Sequence, residues 1–351
     1  MKVTTRPNQA KDLPHYLSYR SYLKQRFGTP VLKIPLNAGF SCPNLDGTIG
    51  SQGCSFCDNR SFSPVAVSTA SLLDQLKSSI EKDRGKHKAF VAYLQPFSNT
   101  YGTRNRLEEL YEPLISFPGI VGLAVGTRPD CFDKDIYDYL ESVSKRTYLS
   151  IEIGLQSGSD TVLSFNRRGH NVAAFTKAIV ELSGRTIETV AHVMVGLPPG
   201  GDTSGKDSTG KEAAVYDDAT AKMLASLPVT GIKIHQLMII RGTLVHQWFE
   251  KGDLAALSLE DYAEVLCDFL SHVRPDQHIH RIMADSSVEC GLIAPLWCSS
   301  EQKMKSIAYI HDVMNRKKLV QGEKYAESQG AGQSDQGRSI QFEQHLPDGF
   351  R

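Results

Sequence analysis

TYLSIEIGLQ (Thr147–Gln156) interleaves two patterns. In an extended strand Leu149, Ile151, Ile153 and Leu155 fall on one face, while Ser150, Glu152, Gly154 and Gln156 fall on the other. A parallel strand buried between two helical layers is apolar on both faces. A glutamate between two isoleucines therefore marks a face that looks into a cavity. ETVAHVMVGL sets His192 opposite Ala191, Val193 and Val195, and GIKIHQLMII sets Lys233 and His235 opposite Ile232 and Ile234. Polar groups recurring on one face favour a partial α/β barrel over a filled, doubly wound sheet.

Outward from this segment, strand-like runs alternate with helical ones. The strands expected are Val31–Asn37, Ala89–Gln95, Gly119–Thr127, Thr147–Gln156, Glu188–Leu197 and Gly231–Ile240, each rich in Val, Ile, Leu or Tyr and bounded by turn residues. Between them lie STASLLDQLKSSIEKD, expected to start on a Ser68 or Thr69 cap, then TRNRLEELYEPLISF, KDIYDYLESVSK, NVAAFTKAIVELSG and KEAAVYDDATAKMLASL. Such alternation gives parallel strands joined by helical crossovers. The Gly-rich stretch 201–215 reads as a loop. Beyond it come two helical patterns, LEDYAEVLCDFLSHV and SSEQKMKSIAYIHDVMNRKK, with a short strand-like HIHRIM between them. The expected organisation is an N-terminal segment at 1–30, a barrel at 31–245, a small α-rich C-terminal extension at 246–325, and a disordered tail at 326–351.

Composition narrows the function. Among the 351 residues Lys+Arg and Asp+Glu both number 39, so no basic footprint points to DNA or to an anionic membrane. No window approaches a membrane span, and the N-terminus lacks the apolar core of a secretory signal. A cytoplasmic protein is expected. Its seven cysteines, at 42, 54, 57, 131, 267, 290 and 298, then point to metal or redox chemistry rather than to disulfides.

Three of them sit in CPNLDGTIGSQGCSFC (Cys42–Cys57), directly after the first strand, where a βα barrel places its catalytic loops. Thiolates suit zinc or an iron–sulfur cluster. Gly47, Gly50 and Gly53 let the backbone wrap tightly and aim amides at sulfur. A structural zinc site needs four protein ligands, and here a fourth must come from Cys131 or a distant histidine. Unligated core cysteines do not gather in a polar, Gly-rich loop. A cluster on three thiolates keeps one iron open, as a catalytic metal site requires.

This loop, with aromatic Phe56 before its last cysteine, resembles the radical S-adenosylmethionine (radical SAM) superfamily. Its long spacing departs from the superfamily's common C-x3-C-x2-C form and is similar to the Elp3-like group. LQPFSNTY, GTRPDC, IEIGLQS, NRRGH, VGLPPG and APLW, in that order, match the YhcC-like subfamily across most of Val31 to Lys318. The resemblance implies a partial (βα)6 TIM-like barrel. It implies a [4Fe–4S] cluster on Cys42, Cys54 and Cys57 whose open iron binds S-adenosylmethionine. It also implies an electron donor such as flavodoxin or ferredoxin. Reductive cleavage would give a 5′-deoxyadenosyl radical that abstracts hydrogen from a substrate.

The resemblance further implies cofactor contacts at Phe56, Gln95, Asn99, Arg128, Glu152, Gln156 and Arg168. Gln95, Ser98 and Asn99 stand where the superfamily often has a Gly-Gly-Glu run, which this chain lacks. For each residue a plainer role competes. Glu152 would pair with Lys33 or Lys233, Arg128 with Asp130, and Arg168 would cap a helix rather than clamp a carboxylate. His192, Lys233 and His235 face the cavity as substrate contacts or as satisfied lining. Cys298 reads as an ordinary core thiol. The Elp3 likeness raises tRNA modification, but nothing in the chain reads as an acetyltransferase domain and the charge balance gives RNA no support. A non-catalytic iron–sulfur or zinc protein is the remaining alternative.

Overall fold

The computed structural model describes residues 14–63, 65–200 and 218–330. The 201–215 loop, the start of KEAAVYDDATAKMLASL and the segment from 331 onward lie outside them.

The main sheet has seven parallel strands. They are β1 (Val31–Leu36), β2 (Ala89–Leu94), β3 (Ile120–Thr127), β4 (Tyr148–Gln156), β5 (Glu188–Val195), β6 (Gly231–Gln236) and β8 (His278–Arg281). They follow one another in chain order across the sheet, as successive βα units winding around an axis do. The two edges, β1 and β8, do not pair with each other, so the barrel is open.

The fold is the partial barrel expected, with one strand more than the six foreseen. The seventh, β8, comes from HIHRIM, inside the stretch assigned to the C-terminal extension. The expected strand Gly231–Ile240 also divides. After β6 the chain leaves the sheet, and β7 (Ile239–Ile240) pairs antiparallel with β9 (Leu292–Ala294) in a separate ribbon.

The outer face carries the core. Ile34, Leu36, Leu94, Leu123, Val125, Ile151, Ile153, Val193, Ile232 and Ile234 join one buried cluster with helix residues such as Tyr111, Leu140, Phe175 and Leu224. Each fully buried side chain of this size contributes about 1.5–3 kcal/mol. The helices start on local caps: Thr103, Asp133, Asn171 and Ser258 each accept a backbone N–H of the first turn. The first crossover helix spans Leu72–Asp83 and is capped by Ser71 rather than Ser68 or Thr69. Ser71 Oγ accepts from Asp74 N and donates to Asp74 Oδ2 at 2.7 Å, a pairing the earlier residues lack.

The inner face is different. Val91, Tyr93, Ala124 and Tyr148 form a separate cluster with Tyr19 and Leu23 of the helix Tyr19–Phe27. That helix touches both edge strands, and Ile279 N donates to Leu17 O at 2.7 Å. It therefore plugs the end of the barrel where the strands begin. The opposite end, at the strand C-termini, stays open to the loops. The last helix, Glu323–Gly330, runs into the stretch expected to be a disordered tail. Among the described residues no helix is long and apolar enough to cross a membrane.

Candidate active site

The cysteine loop leaves β1 and folds back on itself. Leu45 N and Asp46 N donate to Cys42 O, and Gly53 N donates to Asn44 O at 2.8 Å. Gly47 and Gly53 hold φ of 93° and 71°, a region that a Cβ disfavours. The NRRGH turn fastens the loop from behind. Asn44 Nδ2 donates to Arg167 O at 2.6 Å, and Ser55 Oγ to Asn166 Oδ1 at 2.7 Å. Asn166, wholly buried, also donates to Val162 O and Pro198 O. Three motifs distant in sequence are thus tied into one rim, and Asn44 and Asn166, which sequence reasoning passed over, do the tying.

Cys42, Cys54 and Cys57 line a single cavity, which runs from this rim into the barrel. Cys54 Sγ accepts from Arg168 Nη1 at 3.1 Å and Asn44 Nδ2 at 3.4 Å. Burial pushes the Cys57 thiol pKa up, and the charges of Cys54 and Cys42 add to the rise. Among the described residues no three His, Cys, Asp or Glu side chains converge on one point as ligands of a single ion do. A four-iron cluster asks something else, because each thiolate binds a different iron.

The wall next to the thiols is short of partners. Gln156 Oε1, Arg128 Nη1 and Arg168 Nε are buried without a hydrogen bond, and all three residues line the cavity. Gly154 holds that space open, since a Cβ there would come within 2.9 Å of Gln156 Nε2 and 3.0 Å of Arg168 Nη2. Gln156 has φ 78°, a strained conformation for a residue with a side chain, where β4 and β5 slip register. A soft donor set beside orphaned polar atoms fits a cluster with a polar ligand on it.

Phe56 and Gln95 line the same cavity. Arg128 does too, with its fork closed on Asp130 at 2.9 and 2.7 Å, the plainer pairing considered above. Arg168 does not cap a helix: its Nη2 donates to Gly154 O at 2.7 Å beside the bond to Cys54. Asn99 is placed elsewhere. It is wholly buried and off the cavity wall, and its amide donates to Leu94 O, Pro96 O and Gly126 O. It fastens the loop that carries Gln95 and Ser98. Cys298 is buried with its thiol on Pro295 O, as a core residue.

Glu152 is the centre of the barrel interior. It has no solvent exposure, and both its oxygens meet protein cations or imidazoles. Lys33 and His280 approach Oε1, the latter at 3.4 Å. Lys233 Nζ and His192 Nε2 stand 2.8 Å from Oε2. Burial pushes the carboxyl pKa up, but Lys233, Lys33 and the two histidines outweigh it and hold it well below the usual range. Burial pushes Lys233 down to about 7 and His192 to about 4, against the pull of Glu152. Lys233 also donates to Tyr93 Oη at 2.8 Å.

Sequence reasoning had His192, Lys233 and His235 on this face and missed Tyr93, His280 and Arg281. The signal for the last two was the His-x-His-Arg run in a strand-like segment.

Fold and site together define an open α/β barrel with a three-cysteine loop at the C-terminal end of its strands. The chain matches the family model for the radical SAM superfamily over residues 47–203 and that for the radical SAM C-terminal domain over 229–316. It is 33% identical to YtqA of Bacillus subtilis over 311 residues, 88% of this chain and 91% of that one. It is 34% identical to YhcC of Escherichia coli over 279 residues, 79% of this chain and 86% of the other. Human Elongator complex protein 3 is 24% identical over 197 residues, 56% of this chain and 34% of its own. Among solved structures, an archaeal Elp3 from Methanocaldococcus infernus superposes with a TM-score of 0.57 at 16% identity, over 85% of this chain and 68% of that one, a likeness of fold. The chain belongs to the radical SAM superfamily and is a YhcC-like, Elp3-like member of it. Members of this superfamily are enzymes that bind a [4Fe–4S] cluster and S-adenosylmethionine.

Proposed function

We propose that this chain holds a [4Fe–4S] cluster on Cys42, Cys54 and Cys57, binds S-adenosylmethionine beside it, and uses it to abstract hydrogen from a substrate inside the barrel. The observation that carries this is the shared cavity: three thiols on one rim, with unpaired buried atoms of Gln156, Arg128 and Arg168 next to them. When bound, the cluster supplies the electron that splits the cofactor's sulfonium into methionine and a 5′-deoxyadenosyl radical.

The chain's own residues position and shield. Arg168 fixes the Cys54 sulfur and neutralises part of its charge. Phe56, Gln95, Arg128 and Gln156 are the proposed cofactor contacts, Phe56 offering its ring from a partly buried seat against the apolar cluster that includes Val162, Leu197 and Leu237. Glu152 lines the cavity with both oxygens already engaged, and Asn99 holds the Gln95 loop from behind. A low-potential donor of the flavodoxin or ferredoxin kind is the proposed electron source.

The test is anaerobic reconstitution followed by reduction with S-adenosylmethionine present. The expected result is about four irons per chain with charge-transfer absorption, and release of 5′-deoxyadenosine. Cluster-replete, reduced protein that returns only intact cofactor under every reductant would overturn the reading.

A further inference from the structure

The barrel interior holds more positive charge than its structure uses. Glu152 is the carboxylate at its centre, and five groups face it. They are Lys33 from β1, His192 from β5, Lys233 from β6, and His280 and Arg281 from β8. The two ammoniums and two of the imidazoles reach it. Arg281 does not: among the described residues it has no ion pair, and its Nε is buried without a hydrogen bond, although its side chain lines the cavity. His235, one pleat further along β6 than Lys233, lines the cavity as well, and its Nδ1 is also buried and unpartnered. Arg281 is partly buried, and its Nε–H is out of water with nothing to receive it, which is costly for a cationic donor. Such a group persists where a ligand completes it.

Resting on the radical SAM reading above, we infer that the substrate carries an oxyanion, a carboxylate or a phosphate, which enters the cavity and is held by Arg281, with Lys233 and His235 beside it. The guanidinium offers a planar fork matched to two oxygens of such a group. Lys233 lies in register with Arg281 on the neighbouring strand, so its ammonium belongs to the same wall. Tyr93 Oη and the Glu152 carboxylate hold that ammonium in place. The oxyanion would anchor one end of the substrate in the barrel and leave the reacting carbon toward the rim.

The experiment reads melting temperature, which needs no turnover. Wild-type protein is titrated with sodium acetate and, separately, inorganic phosphate, against sodium chloride at equal ionic strength. Saturable stabilisation by one of them beyond chloride is expected, and which anion acts identifies the carboxylate or the phosphate. Arg281→Gln should melt higher than wild type without ligand, because a partly buried charge with no ion pair and an unpartnered Nε is gone. It should also lose at least tenfold in apparent anion affinity. Arg281→Lys should keep the charge, lose the fork and fall between the two.

No anion effect in wild type beyond chloride overturns the inference. So does an Arg281→Gln protein that melts lower or fails to fold, since the guanidinium would then be structurally partnered. Iron content and 5′-deoxyadenosine release of the wild type, measured separately, tell whether the radical SAM reading itself has failed.

Discussion

Lys233 Nζ lies 2.8 Å from Glu152 Oε2 inside the barrel, at the hub where Lys33, His192 and His280 also meet. The carboxylate therefore holds two ammoniums, Lys233 buried and Lys33 partly so. Replacing it with glutamine keeps the volume and leaves both cations without a counter-charge. Breaking a buried pair by removing one partner costs about 3–5 kcal/mol. Glu152→Gln should lower the melting temperature strongly while the affinity for S-adenosylmethionine falls far less. Calorimetry beside a melting curve checks this. An unchanged melting temperature with affinity lost ten- to a hundredfold would make Glu152 a direct cofactor ligand, since about 1.4 kcal/mol is a tenfold change.

The same hub makes stability depend on acid. Burial and the neighbouring Lys233 hold His192 near pKa 4, and burial keeps His235 and His280 well below an ordinary imidazole. Each is neutral in the fold and takes up a proton on unfolding near pH 6.5. The stability they contribute is whole above that pH and is lost as pH falls toward 4. Glu152, depressed as well, adds to the loss below the ordinary carboxylate range. Urea unfolding from pH 7.5 to 4.5 should give a falling free energy, with a slope of up to about 1.4 kcal/mol per pH unit for each proton taken up. Stability that stays level from pH 7 to 5 would show that these imidazoles are not buried neutral.

Cysteine substitutions should separate the rim from the core. Alanine at Cys42, Cys54 or Cys57 should abolish iron uptake and charge-transfer absorption in reconstituted protein. Cys267→Ala lies in the helix Leu259–His272, packed in the main core and away from the cavity. It should keep full iron and lose only roughly 1 kcal/mol of stability from the small void. Stoichiometric zinc with no iron in the wild type would remove the cluster from the proposal.

Much of the architecture was legible because β4 alternates so sharply. Glu152 between two isoleucines left a cavity as the only reasonable surrounding, and a barrel followed. The partner of Glu152 was not legible to the same degree. Lys33 and Lys233 were named as rivals of the cofactor, but His280 was not, because its distance to Glu152 depends on which strand β8 joins. HIHRIM carries only a few residues of pattern, and the register slip between Ile232 and Lys233 that brings Arg281 level with Lys233 has no local sequence sign. Asn99 misled for a related reason. Polar residues after a strand look alike until the carbonyls they satisfy are known, and of its three, Leu94 and Pro96 lie just ahead of it in the chain while Gly126 lies on β3. The plugging helix Tyr19–Phe27 was missed because its buried face is made of tyrosines and a leucine among charged residues rather than of a clean apolar stripe.

Arg168 Nη1 donates to Cys54 Sγ, one of the three sulfurs proposed to hold the cluster. Reduction adds negative charge to a cluster, so a cationic donor on one of its sulfurs stabilises the reduced state more than the oxidised one. Arg168→Gln removes that charge and the Nη1–Sγ bond at 3.1 Å, while the three thiols and the Asn44 bond to Cys54 remain. Iron content should be retained and the midpoint potential should move downward. A charge-assisted hydrogen bond is worth about 1.5–3 kcal/mol, and about 59 mV on a one-electron couple equals about 1.4 kcal/mol. Only the difference in bond strength between the two oxidation states counts, so the shift should be on the order of tens of millivolts. Arg168→Lys keeps a cation and should recover part of it. Electrochemical titration of the reconstituted variants reads the shift directly. A potential that does not move, or that rises, would mean that Arg168 acts through the Gly154 carbonyl as a brace for β4 rather than through the sulfur.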